Sequence, residues 1–102
     1  MANTFKNYTS ASIGTSAATV YTVPASTTSV IIGLNLANRA ASPVEVDVQL
    51  GSTYIVKGAP IPIGSALSVL DGKIIAETTE TIVVTSNTAS SVDAIVSVLE
   101  QT

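Results

Sequence analysis

From Pro43 to Leu50 the residues alternate without a break: Val44, Val46, Val48 and Leu50 share one side, and Glu45, Asp47 and Gln49 the other. Successive side chains of a strand point to opposite faces, so this is the pattern of a half-buried strand. The same period runs through Thr28 to Leu36, where it assigns Val30, Ile32, Leu34 and Leu36 to the core and Ile31, Gly33 and Asn35 to the outside. From Val92 to Leu99 it turns Val92, Ala94, Val96 and Val98 inward. The opposite side of that last segment carries Ile95 and Leu99. Two apolar residues on an outward face imply a cover there, either a second layer or a neighbouring subunit.

Shorter runs at Thr19 to Val23, Thr53 to Lys57, Ala66 to Leu70, Lys73 to Ala76 and Thr81 to Thr85 bring the total to about eight strands, all rich in β-branched residues. Leu70-Asp71-Gly72-Lys73 reads as a type I′ hairpin, because Asp-Gly accepts the positive φ angles of that turn. Leu50-Gly51-Ser52-Thr53 reads as a second tight hairpin, and residues 86–91 as a polar loop before the last strand. Pro60 and Pro62 cannot donate to a ladder. The stretch Ala59 to Gly64 is therefore an edge or connecting strand, docked through Ile61 and Ile63. No helical period of ten residues occurs. The expected fold class is all-β, an antiparallel β-sandwich of jelly-roll type, with an eight-stranded barrel as runner-up.

Residues 1–12 lack a core pattern: Asn3, Asn7, Thr9, Ser10 and Ser12 interrupt it, while Phe5 and Tyr8 supply two of the four aromatic side chains. They are expected to form an extended N-terminal arm that adds as a strand to a neighbouring copy, with Phe5 and Tyr8 filling pockets there. Residues 13–102 form the single β-sandwich domain.

Composition sharpens this picture. Ser and Thr make up 27 of the 102 residues, while Asp, Glu, Lys and Arg together make 11%, against about 25% in an ordinary soluble domain. A free protein gains solubility from charge, whereas a subunit held in an assembly does not need it. Flat, hydroxyl-rich faces suit contact between subunits without stranding buried ions.

A net charge of −3 and four scattered cations, Lys6, Arg39, Lys57 and Lys73, argue against nucleic acid as a partner, since phosphate binding needs clustered cations. No apolar run approaches the length of a membrane span, and the first residues show no apolar signal core. The expectation is synthesis in a cytoplasm and no membrane association.

The chain has no His, Cys or Trp. Without His the usual Ser–His–acid triad cannot form, and Gly14-Thr15-Ser16-Ala17-Ala18 only half-resembles a nucleophile elbow. Zinc-type ligand sets are missing too. Glu45 and Asp47 share a strand face, as a carboxylate pair would, but that is also the wet side of an amphipathic strand. Glu77 and Glu80 read as a solvated pair. The chain is thus expected to be no enzyme, to use no cofactor and to bind no metal. A carbohydrate-binding surface module remains a rival, with Tyr8, Tyr21, Tyr54 and Phe5 as its possible platform residues. Arg39, alone in the loop Asn38 to Ser42, is the best candidate for a directional anchor, because its fork can hold a carboxylate bidentately.

Val20-Tyr21-Thr22-Val23-Pro24-Ala25 leads into Thr28 to Asn38. Then follow Val44 to Val48, Ala59-Pro60-Ile61-Pro62-Ile63-Gly64 and Val92 to Glu100. In order and phrasing this succession resembles a family of small structural proteins of tailed bacteriophages, notably those infecting cyanobacteria, over nearly the whole chain. The resemblance implies a β-sandwich virion component: a capsid decoration, or cement, protein that stabilises the phage head by binding the outer surface of the shell. Its partners would be the major capsid protein and itself, as a homotrimer or other homo-oligomer, and it would be made in the bacterial host cytoplasm. A tail, neck or fibre-base component is the alternative. Phe5, Tyr8, Arg39, Tyr54, Ile95 and Leu99 are the candidate interface residues.

Overall fold

In the computed structural model, which describes residues 2–102, nine strands follow one another: β1 Asn3–Ile13, β2 Ala18–Thr22, β3 Thr28–Asn38, β4 Val44–Leu50, β5 Thr53–Ile61, β6 Ala66–Ser68, β7 Ile74–Ala76, β8 Thr81–Ser86 and β9 Val92–Gln101. All pairings are antiparallel. They nest around the β4–β5 turn: β3 takes β6 and β7, β2 takes β8, and β1 takes β9. Such a nested ribbon, rolled so that β9 also meets β3 and β8 also meets β4, gives two sheets. One runs β1-β9-β3-β6 with β7 beside β6 on β3; the other runs β2-β8-β4-β5. This is the two-sheet jelly roll expected of the class.

Alternation drives the packing as the sequence pattern requires. Val44, Val46 and Val48 of β4 are buried, as are Val92, Ala94, Val96 and Val98 of β9. Each such aliphatic side chain contributes roughly 1.5–3 kcal/mol by leaving water. Gly51 alone carries a positive φ, 61°, in the two-residue turn that sets Leu50 opposite Thr53.

Four expectations are corrected. In β3, Ile31 is fully buried and Ile32 is 41% exposed, reversing the assignment made from the alternation. The pairing with β9 slips between Ile31 and Gly33, and one inserted residue reverses which face follows. Ser29 and Ile31 therefore point inward before the bulge, and Leu34, Leu36 and Asn38 after it.

Asp71-Gly72 is not a hairpin. Both β6 and β7 run antiparallel to β3, Leu67 opposite Leu36 and Ile75 opposite Val30, so they are two pieces of one interrupted edge strand. Gly72 has no positive φ.

Of residues 1–12, expected as an extended arm adding to a neighbouring copy, Asn3 to Ser12 lie in β1, which pairs along β9 of its own chain from Asn3 opposite Gln101 to Ile13 opposite Val92. The Pro-containing stretch belongs to edge strand β5, where a missing donor can face outward. There Ile61 is buried, while Ile63 lies beyond the strand and is exposed.

Candidate interaction surface

Alternation sends every second residue of the β1-β9-β3-β6 sheet to its outer face. Across that face Phe5 lies opposite Leu99, Leu99 opposite Val30, and Val30 opposite Ile75. This apolar row spans the full width of the sheet. Phe5 is 75% exposed and Ile75 53%, while Leu99 and Val30 are half-buried. The β3 bulge turns Ile32 out beside the row. Next comes a row of small residues, Asn7, Ser97 and Gly33, where a Cβ on Gly33 would meet nothing within 4 Å. There Phe5, Asn7, Ile32 and Ser97 line a depression of about 270 Å³. Ile95 stands exposed in the following row, between Thr9 and Asn35. Within the strands the outward charge is Asp93, which is paired in place, and exposed Lys73 and Glu77 flank Ile75 at the two ends of β7.

Asp93 Oδ1 accepts a hydrogen bond from the Ser12 amide at 2.9 Å and another from Arg39 Nη1 at 3.2 Å, while Arg39 also donates to Ser12 Oγ at 2.8 Å. The Ser12 amide is the main reason the Asp93 carboxyl lies below its ordinary pKa, with Arg39 adding to it and burial opposing both. The left-handed backbone of Ser12, φ 58°, turns that amide toward the carboxylate at the break in the β1–β9 register.

The other outer face, on the β2-β8-β4-β5 sheet, is polar. Glu45, Asp47 and Gln49 project from β4 beside Thr85 of β8 and Lys57 of β5. Lys57 Nζ is 3.6 Å from Asp47 Oδ2 and 4.7 Å from the centre of the Tyr54 ring. The Tyr54 side chain and then Asp47 hold the Lys57 ammonium above its usual pKa. Asp47 also accepts the Gly58 amide at 2.8 Å, tying down the bulge in β5.

A third group lies inside. Glu100, 5% exposed, receives hydrogen bonds from the hydroxyls of Tyr8 at 2.8 Å and Tyr21 at 2.7 Å and an ion pair from Lys6 at 3.4 Å. Tyr21 further shares a hydrogen bond with Ser29 at 2.5 Å, and the two tyrosine rings stack 4.5 Å apart. Burial pushes the Glu100 carboxyl up, but the Tyr21, Tyr8 and Lys6 contacts outweigh it and leave the pKa below the ordinary value. Burial is the first cause that raises Tyr8 and Tyr21. This cluster fastens β1 to the sandwich with polar groups where another strand would use aliphatic ones.

The six residues singled out from sequence therefore separate. Phe5, Leu99 and Ile95 share the neutral outer face. Tyr8 points inward to Glu100 rather than out to a neighbour. Arg39 is engaged by Asp93 of its own chain. Tyr54 stands on the opposite face from Phe5, under Lys57, so the exposed aromatic rings do not gather into a platform. Val30, Ile32 and Ile75 complete the apolar face, although Val30 and Ile32 carried an inward assignment. The signal for Ile75 was present: Ile74-Ile75 places one aliphatic residue outward whichever way the strand turns.

No family model matches this chain. No curated protein matches its sequence either. Among solved structures the fold is similar to a chain of the acidic stable capsid structure of Helicobacter pylori bacteriophage KHP30, with 10% sequence identity and a TM-score of 0.62 over 98% of this chain and 87% of that one.

Proposed function

We propose that this chain is a non-enzymatic structural protein of a tailed-bacteriophage virion, a decoration or cement protein that docks on the outer surface of the head shell through its neutral sheet face. The observation that carries the reading is the apolar row Phe5-Leu99-Val30-Ile75, laid across a sheet face whose strand-borne outward charge, Asp93, is paired with Arg39. Exposed apolar patches of this kind mark interaction sites. Likeness of fold to a capsid-structure chain and the phage-like succession of sequence phrases support the same assignment. The shell's major capsid protein is the partner that fits, offering a neutral, apolar strip to match. A shell under internal pressure is stabilised by anything that binds its assembled form in preference to its loosened one.

The test is composition and binding on purified particles. Quantitative mass spectrometry should find copies on the order of hundreds per particle, as a symmetric shell requires. About a dozen or fewer would move the protein to the tail, neck or fibre base. Absence from particles would overturn the proposal.

A further inference from the structure

From the edges of the two sheets we infer that β1 is an assembly edge, which pairs antiparallel with β1 of a second copy across a two-fold axis centred on Asn7. Unpaired strand edges invite chain-to-chain pairing, and soluble proteins blunt them. Three of the four edges here are blunted. β5 carries Pro60, Lys57 and a bulge at Gly58, whose φ is 65°. The β6–β7 edge consists of two three-residue pieces interrupted by residues 69–73. β2 is five residues long and slips register between Thr19 and Tyr21.

β1 is the least blunted. It pairs with β9 in unbroken register from Asn3 to Ser10, slipping only between Ser10 and Ile13, contains neither Gly nor Pro, and its outer edge has no strand partner among the described residues. Its single charge, Lys6, is half-exposed but ion-paired with Glu100 of the same sheet at 3.4 Å.

Centring the pair on the regular Asn3–Ser10 stretch leaves Lys6 or Asn7 on the axis, and side-chain chemistry chooses between them. In a two-fold antiparallel pair, opposed residues must point to the same face, so the axis passes a residue and not a peptide link. An axis at Lys6 would set two ammonium groups opposite each other, which is unfavourable. An axis at Asn7 sets Lys6 opposite Tyr8 of the second copy, Phe5 opposite its Thr9, and Asn7 opposite its Asn7. No like charges meet.

The pair has a further consequence. Four strands about 4.8 Å apart and about 30 Å long give one copy a face of roughly 600 Å², less than the roughly 800 Å² per partner of a standard stable interface. Joining two β1 edges makes one continuous sheet and doubles the neutral face, with both Phe5 rows on the same side. The pairing stands on the edge geometry and does not depend on the virion reading.

Sedimentation and cross-linking of the full chain test it. Wild type should sediment as a dimer of the 10.3 kDa chain. Asn7→Lys and Asn7→Glu, each alone, should weaken association at least tenfold with an unchanged circular dichroism spectrum, and their equimolar mixture should restore it. The chain has no cysteine, so Asn7→Cys should oxidise to a covalent dimer, because opposed Cα atoms of antiparallel strands lie within disulfide reach; Tyr54→Cys should not. A monomeric or trimeric wild type, or cross-linking no faster at position 7 than at 54, would overturn the pairing. A monomer that still binds particles refutes the pairing alone, whereas a dimer that is absent from particles refutes the virion role alone.

Discussion

The two outer faces of this sandwich are made of similar strands, rich in Thr, Val and Ser, yet they differ in where charge is placed. On the β1-β9-β3-β6 sheet, the outward residues form an apolar row beside a row of small ones, and Asp93 is neutralised by Arg39 and Ser12. On the β2-β8-β4-β5 sheet, Glu45, Asp47 and Lys57 face outward around Tyr54. Glu45, Asp47 and Lys57 give the second face outward charge in the middle of its strands, where the first face carries its apolar row. The difference is in side chains only, since both sheets follow the same nested ribbon.

The comparison depends on the bulge that turns Ile32 rather than Ile31 onto the neutral face. Replacing the buried Ile31 by Ala should cost about 2–5 kcal/mol, whereas Ile32→Ala should stay within about 0.5 kcal/mol. Urea unfolding midpoints check both, and the reverse order would put the strand in the opposite phase.

Glu100 holds β1, and with it Phe5, on the sheet. Glu100→Gln should cost about 1–3 kcal/mol at neutral pH, through loss of charge-assisted hydrogen bonds. The folded-state pKa is lowered from 4.5, so the carboxylate's contribution is complete above the unfolded value and vanishes as pH falls through the folded one. Thermal melts of wild type and variant should therefore converge on acidification through the lowered folded-state pKa. A gap independent of pH would contradict this role.

Exchanging the character of the faces gives a binding prediction. Phe5→Asp with Ile75→Asp should weaken attachment to particles at least about tenfold, or 1.4 kcal/mol. Glu45→Ser with Asp47→Ser should leave attachment unchanged in a co-sedimentation assay. The smallest effect is expected for Arg39→Ala: its pair with Asp93 is half-exposed on both sides, and such pairs contribute about 0–1 kcal/mol. Its loss leaves Asp93 without its cation on the neutral face and should weaken particle binding only slightly, by less than the exchange of Phe5 and Ile75.

Much of the fold was legible in the order of residues. β4 and β9 alternate cleanly, and Gly51-Ser52 sits where two alternating runs meet, so their strands and turn follow from period and turn chemistry. β3 was misread because Val30-Ile31-Ile32 is apolar in either phase, and a bulge leaves no mark in such a run. Asp71-Gly72 carries the chemistry of a hairpin, but the chain continues along β3 in one direction. Whether it turns back is decided by pairing partners distant in sequence.

The segment of β1 reads as an arm for a neighbouring copy rather than as a partner of β9 because its inward side is Thr4, Lys6, Tyr8 and Ser10. That side is polar because it meets Glu100 instead of the aliphatic core, and Glu100 is 92 residues away from Tyr8. Ile95 and Leu99 marked an apolar outer face from sequence alone. The row that joins Leu99 to Phe5, Val30 and Ile75 exists only once the registers are set.

A reconstruction of intact particles at side-chain resolution tests the central claim most directly. The account predicts Phe5, Leu99, Val30 and Ile75 against the shell, with Glu45, Asp47 and Lys57 facing solvent. Density showing the charged face on the shell and the apolar row in solvent would contradict it.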